Sequence, residues 1–290
     1  MKKLIGILFI ALFTVACGQT SSAEEEMTVV SIATLNETHR EVLEDVSSRL
    51  EEKENITLDI VMVSDYVQPN VGVADGSLDM NGFQFTSFLA EYNNSISDES
   101  DKILPIGYGY ITPLGLWASD DIQNLEDIPQ GASVAVPNDP VNIGNSINNL
   151  EKAGLITLSS EGTGLPTEDD IIENPLNLEI IPLANGQVAR SIPDTDLMMT
   201  SSTVAVDAGY TMDEAIYIED PETTSDLFQI ILAVRADNID NKTYQKVVAE
   251  YQTEETAQVM EEVSNGTMLT NWEESGDPLE NYEQYVEENY

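Results

Sequence analysis

Residues 28–63, TVVSIATLNETHREVLEDVSSRLEEKENITLDIVMV, decide the fold. Thr28–Ala33 is a β-branched apolar run that reads as a buried strand. Thr38 and Glu41 stand three apart, the spacing of a capping box, which places a helix start at Thr38. Behind it Val42, Leu43, Val46 and Leu50 recur at helical spacing. Thr57–Val63 is a second apolar strand. The same rhythm continues outward. A short helix is expected over Gln68–Ala74, stopping near Gly76, then a strand over Asp79–Phe83 and a helix over Ser87–Tyr92. Strands that alternate with helices at this pitch imply an α/β chain with a parallel sheet covered on both faces.

Ile103–Ala118 breaks the rhythm. It is a long extended run carrying Gly107, Gly109, Pro113 and Gly115, and it reads as a crossing into a second lobe. There the rhythm restarts with strand Ser133–Val136, the turn Pro137-Asn138-Asp139-Pro140, and a helix from Ile143 to Ala153 ending at Gly154. Leu178–Ile181 and Asp196–Met199 read as further strands, with short helices at Gln187–Ile192 and Thr203–Ala208. Phe228–Arg235 carries the chain back, and helices over Lys242–Gln252 and Glu254–Ser264 follow. The expected division is residues 28–111 with 233–290 for one lobe and 112–232 for the other. Open sheets bind ligands at the carboxyl ends of their strands, so Ser64–Tyr66, Gly82–Phe85 and Pro137–Asn142 should frame a central cleft. The acid-rich tail Trp272–Tyr290 reads as a loosely docked or mobile end. The alternative is a short helix with Tyr282, Tyr285 and Val286 on one face.

The first residues speak to location. Lys2 and Lys3 precede a short apolar run, Leu4–Val15, which closes on Val15-Ala16-Cys17. This is the pattern of a bacterial lipoprotein signal rather than of a membrane span. Residues 1–16 are expected to be removed, leaving Cys17 lipidated at the cell membrane on its extracytoplasmic face. Residues 17–27, small, polar and acidic, form a tether. The formal net charge is −42, with 53 Asp and Glu against 11 Lys and Arg. Such a chain repels nucleic acid and anionic headgroups. Its plainer reading is a solvated surface suited to a saline or alkaline medium.

Catalytic and cofactor chemistry has little to stand on. His39 is the single histidine and Cys17 the single cysteine, so a nucleophile–histidine relay has one possible centre. Cys/His metal spacing, an EF-hand loop and both glycine-rich phosphate motifs are missing from the sequence. No cofactor and no enzymatic activity are expected. An anchored, lobed, catalytically bare chain points to capture of a solute.

Three blocks carry a family resemblance: Ser64-Asp65-Tyr66-Val67-Gln68-Pro69-Asn70, Ala74-Asp75-Gly76-Ser77-Leu78-Asp79, and Phe83-Gln84. Together with Val136-Pro137-Asn138-Asp139-Pro140, Leu150–Ile156, Ile172–Leu178 and Leu232–Arg235, they resemble the NlpA, or methionine-binding, lipoproteins. The likeness is collinear from about Thr28 to Leu269. It implies the two-lobed periplasmic-binding-protein fold of type II, an amino acid or short peptide as ligand, and the permease of a methionine-type ABC importer as partner. A different class of function remains open on the same fold: a surface lipoprotein acting through protein contacts, as an adhesin or signalling module. An enclosed apolar cleft would favour the receptor, an occluded one the contact protein.

The resemblance implies ligand contacts from Tyr66, Phe83, Gln84, Phe85, Asn142, Asn145, Ser201 and Thr203, but the chain departs from the family at several of them. Tyr-Phe-Gln-His becomes Gly82-Phe83-Gln84-Phe85. The carboxylate-binding Arg becomes Asn145, Asn-Gly-Asn becomes Ser201-Ser202-Thr203, and an Asn on the returning strand becomes Ile230. A buried carboxylate that loses its charged partner costs about 2–5 kcal/mol. Free methionine is therefore expected to bind at least about tenfold more weakly than to a relative that has the Arg. A methionine-containing peptide or another amphiphile suits the aromatic walls better. Tight binding of free methionine would mean that another cation, such as Arg190, has taken over.

Overall fold

A computed structural model describes residues 27–159, 165–221, 224, 226–272 and 275–290. The expected signal peptide, Cys17 and most of the tether lie outside them. Strand β1 (Thr28–Thr34) leads into helix α1 (Glu37–Glu54) and strand β2 (Ile56–Met62). Val42, Leu43, Val46 and Leu50 of α1 are fully buried, each contributing about 1.5–3 kcal/mol by leaving water. The helix starts earlier than the capping-box reading placed it. Asn36 is the N-cap, and its side chain accepts from the His39 backbone N–H at 2.7 Å. Asn is among the preferred caps, and the Thr38 hydroxyl is left to reach elsewhere. Helix α2 (Gln68–Asp75) ends on Gly76 at φ 78°, strand β3 is Met80–Phe85, and helix α3 is Thr86–Asn94.

Strand β4 (Ile103–Tyr108) closes the first run, and β5 (Leu114–Ala118) opens the second. The second run continues with β6 (Ser133–Pro137), α4 (Pro140–Lys152) and a hairpin of β7 (Thr157–Leu158) with β8 (Ile171–Glu173). It ends with β9 (Glu179–Leu183), α5 (Asn185–Val188), β10 (Leu197–Ser201), α6 (Ser202–Asp207) and β11 (Ala215–Ile218). Strand β12 (Ile230–Arg235) then returns to the first run, followed by α7 (Lys242–Tyr251), α8 (Glu254–Ser264) and α9 (Pro278–Asn289). Two sheets result, ordered β2-β1-β3-β12-β4 and β11-β5-β10-β6-β9. The fold is two-lobed and α/β, as the sequence implies. Strand β12 pairs with β3 from Ile230 and with β4 from Ile231, within the segment that the sequence reading assigned to the second lobe up to residue 232.

Neither sheet is wholly parallel, as the sequence rhythm had suggested. In the first, β12 runs antiparallel to both neighbours, and in the second β5 does. The reason is topological. Strands of βα units end at the cleft, whereas these two enter from the opposite lobe and so begin there. Parallel pairs are pinned by the same device in both lobes. The Asp79 carboxylate accepts from the Ser31 backbone N–H and hydroxyl, and the Asp196 carboxylate does so from Ser133, at 2.8–2.9 Å. The tail is a second correction. Helix α9 docks on the first lobe with Tyr282 and Tyr285 buried. Asn93 Nδ2 donates to the Tyr282 hydroxyl at 2.7 Å and Asn281 Nδ2 to the Tyr108 hydroxyl at 2.6 Å. Two aromatic rings bury enough apolar area to hold a helix whose other face is acidic.

Candidate functional site: a cavity between the lobes

The carboxyl ends of β1, β2 and β3 face those of β6, β9 and β10 across a cavity of about 310 Å³, at the lower end of the range for small-molecule sites. The first lobe supplies an aromatic wall. Tyr66 and Phe83 stack with centroids 6.1 Å apart, and Phe88 meets both edge-on at 5.9 and 6.2 Å. Phe85 adds a fourth ring, itself edge-on to Phe228 at 5.7 Å. The second lobe supplies small polar groups, with Ser146 from α4 and Thr200, Ser201 and Thr203 from the junction of β10 and α6. Tyr110, Thr112 and Ile230 line it from the two crossings.

Seven of the eight candidate residues meet here: Tyr66, Phe83, Gln84, Phe85, Asn142, Ser201 and Thr203 all line the cavity. Their polar groups differ in what they can still offer. The Gln84 amide is engaged with Asn70 in both directions, at 2.7 and 2.8 Å, and donates to Asn81 at 2.9 Å. It braces the wall. Asn142 Nδ2 donates to the Asp139 carboxylate at 2.9 Å, as part of the α4 cap. Ser201 and Thr203 share a hydroxyl contact at 3.3 Å, and Thr203 reaches Thr112 at 3.3 Å. Asn145 is the exception. It is buried in α4 outside the cavity lining, and its Oδ1 accepts from Asn149 Nδ2 at 3.2 Å. A shorter neutral side chain six residues beyond the Asp139 cap bonds within its own helix.

The sequence reading missed Phe88 and Asp207. Each had a signal: Phe88 follows Phe85 by three and Asp207 follows Thr203 by four, which puts the Asp207 pair on one helical face. Asp207 crosses between lobes. Its carboxylate accepts from the Thr38 hydroxyl at 3.1 Å and from the Glu37 backbone N–H, at the start of α1. Burial pushes its pKa up, helped by Glu37 and Glu41, while the two donors oppose the shift.

His39 lies behind this surface, fully buried and outside the cavity lining. Its Nδ1 meets the Thr34 hydroxyl at 2.8 Å and its Nε2 the Tyr251 hydroxyl at 2.9 Å. Burial lowers its pKa to about 3, so it is a neutral brace beneath Tyr110, whose ring lies 4.9 Å away. Among the described residues, no group of three or more His, Cys, Asp or Glu is arranged to hold a metal ion.

Two α/β lobes with a small-molecule cavity at facing strand ends define a solute-binding protein of the periplasmic type. The particular lineage follows from comparison. The model of the NlpA lipoprotein family matches residues 30–272, and the chain belongs to that family. It is 31% identical over 272 residues to the D-methionine-binding lipoprotein MetQ of Escherichia coli K12, covering 92% of this chain and 96% of that one. A Staphylococcus aureus protein of known structure superimposes with a TM-score of 0.79 at 30% identity, over 89% of this chain and 99% of that one. A nutrient-binding protein from Burkholderia cenocepacia bound to methionine does so at 0.72 and 30%, over 83% and 98%. The family is one of substrate-binding proteins of transporters, not of enzymes.

Proposed function

We propose that this chain is a lipid-anchored extracytoplasmic receptor that delivers a small amphiphile to a methionine-type ABC importer. The ligand is methionine-like: a methionine-containing peptide, or methionine itself at reduced affinity. The cavity carries the reading. Its stacked rings suit an apolar, polarisable side chain, and its opposite wall of hydroxyls suits a polar end. Relatives named for D-methionine binding and a neighbour bound to methionine support the same ligand class. A cavity between the lobes, where an occluded interface would have favoured a protein acting through surface contacts, supports the receptor. The proposed anchor at Cys17 rests on the signal pattern ending in Val15-Ala16-Cys17 and on relatives named as lipoproteins.

Titration calorimetry with L-methionine and with methionine-containing dipeptides tests the proposal, alongside native mass spectrometry of the purified protein for a co-purified small molecule. At least one probe is expected to bind with a stoichiometry of one. Absence of binding by every probe, with no mass adduct, would overturn it.

A further inference from the structure

Only two charged side chains line the cavity among the described residues, Arg190 and Asp207. Asp207 is already engaged by the start of α1. Arg190 follows α5 at the cavity's rim and is exposed. The other three arginines are held by carboxylates: Arg40 by Glu37 and Glu44, Arg49 by Asp45 and Glu250, and Arg235 by Asp237. Arg190 has no ion pair among the described residues. In a chain with 53 acidic residues and 11 basic ones, an arginine with no ion pair among the described residues, exposed in the lining of a binding cavity, is a specific arrangement. Meanwhile Asn145, which stands where the family's carboxylate-binding arginine is expected, is buried away from the cavity.

Resting on the receptor reading above, we propose that Arg190 is the residue that reads the ligand's carboxylate. Guanidinium presents a planar fork that matches a carboxylate in two parallel hydrogen bonds. The ligand's apolar part then lies toward Tyr66, Phe83 and Phe88 while its anionic end stays at the rim. This placement predicts a weakened response to free methionine. An exposed pair is screened by water and salt, so it contributes less than a buried pair. It also admits a longer ligand, because the charged end is not enclosed.

The test compares L-methionine with L-methioninamide, which keeps the side chain and lacks the carboxylate, by titration calorimetry at physiological salt. Wild type is expected to prefer the acid by about three- to fivefold. Arg190→Gln should reduce that preference to about twofold or less, and Arg190→Lys should restore part of it. Arg190 is exposed, so both variants should melt with wild type. If both probes bind and Arg190→Gln keeps the wild-type preference, the assignment to Arg190 fails while the receptor reading stands. If neither probe binds wild type, the assignment of a methionine carboxylate to Arg190 falls, while the receptor reading stands or falls on the dipeptide titrations.

Discussion

The buried imidazole of His39 makes stability depend on pH in a way that can be worked out and isolated. It is the only histidine in the chain. In the unfolded chain it titrates near 6.5, whereas burial holds the folded value at about 3. Between those values the unfolded state takes up a proton that the folded state refuses. Stability is therefore full above 6.5 and falls as the solution is acidified toward 3. At about pH 5 the loss is about 2 kcal/mol, because the unfolded imidazole is then about 1.5 units below its pKa. The figure is set by the unfolded value, since the folded one lies well below that pH. The many surface carboxylates respond to the same acidification, so the perturbation to compare is His39→Gln, which cannot titrate. Urea unfolding followed by tryptophan fluorescence gives both stabilities at about pH 8 and about pH 5. The advantage of wild type over His39→Gln should shrink by about 2 kcal/mol across that interval. The imidazole resonances of the native protein should stay fixed over the same range. A difference that does not change with pH, or a ring that titrates near 6.5, would refute the argument and with it the view of His39 as a neutral brace.

Three further outcomes follow from the geometry. Gly82→Ala places a methyl 2.9 Å from Leu232 Cδ2 and 3.1 Å from His39 Cε1. It should cost about 1–3 kcal/mol in urea unfolding, because neither buried neighbour has room to retreat. Tyr282→Phe removes the acceptor that Asn93 Nδ2 meets at 2.7 Å. It should cost about 0.5–1.5 kcal/mol, with Asn93 still bonded to the Ile103 carbonyl. Cys17→Ala should leave the protein unprocessed or release it from the membrane fraction. Mature protein that still sediments with membranes would remove the anchor from the proposal.

The sequence carried the lobes because their cores are written in local periodicity. Val42, Leu43, Val46 and Leu50 show their helix without any partner, and Gly76 shows where the next one stops. It was weaker wherever a choice depended on distant partners. Thr38 and Asn36 are both competent caps, and only the approach of Asp207 from the other lobe shows what the Thr38 hydroxyl does. The tail looked mobile because its acidic residues dominate its composition. What fixes it is the Tyr282 hydroxyl accepting from Asn93 and Asn281 donating to the Tyr108 hydroxyl of β4, contacts more than 170 residues apart in the chain. At the cavity, Tyr66 and Phe83 were legible from a motif. Asn145 stands outside the lining, because a motif carries a position along the helix but not the direction in which a shorter side chain bonds.

The order of strands also dictates an order of assembly. Every strand of the second sheet lies between residues 114 and 218, so that lobe has all its pairing partners once that segment exists. The first sheet does not. Its β3 and β4 are separated by β12, which is more than 120 residues further along. Until Ile230–Arg235 arrives, both strands present unpaired edges, and such edges invite pairing with other chains. The lobe that begins the protein is thus the last to be completed, and the cavity, which needs Ile230 in its lining, comes into being only with it.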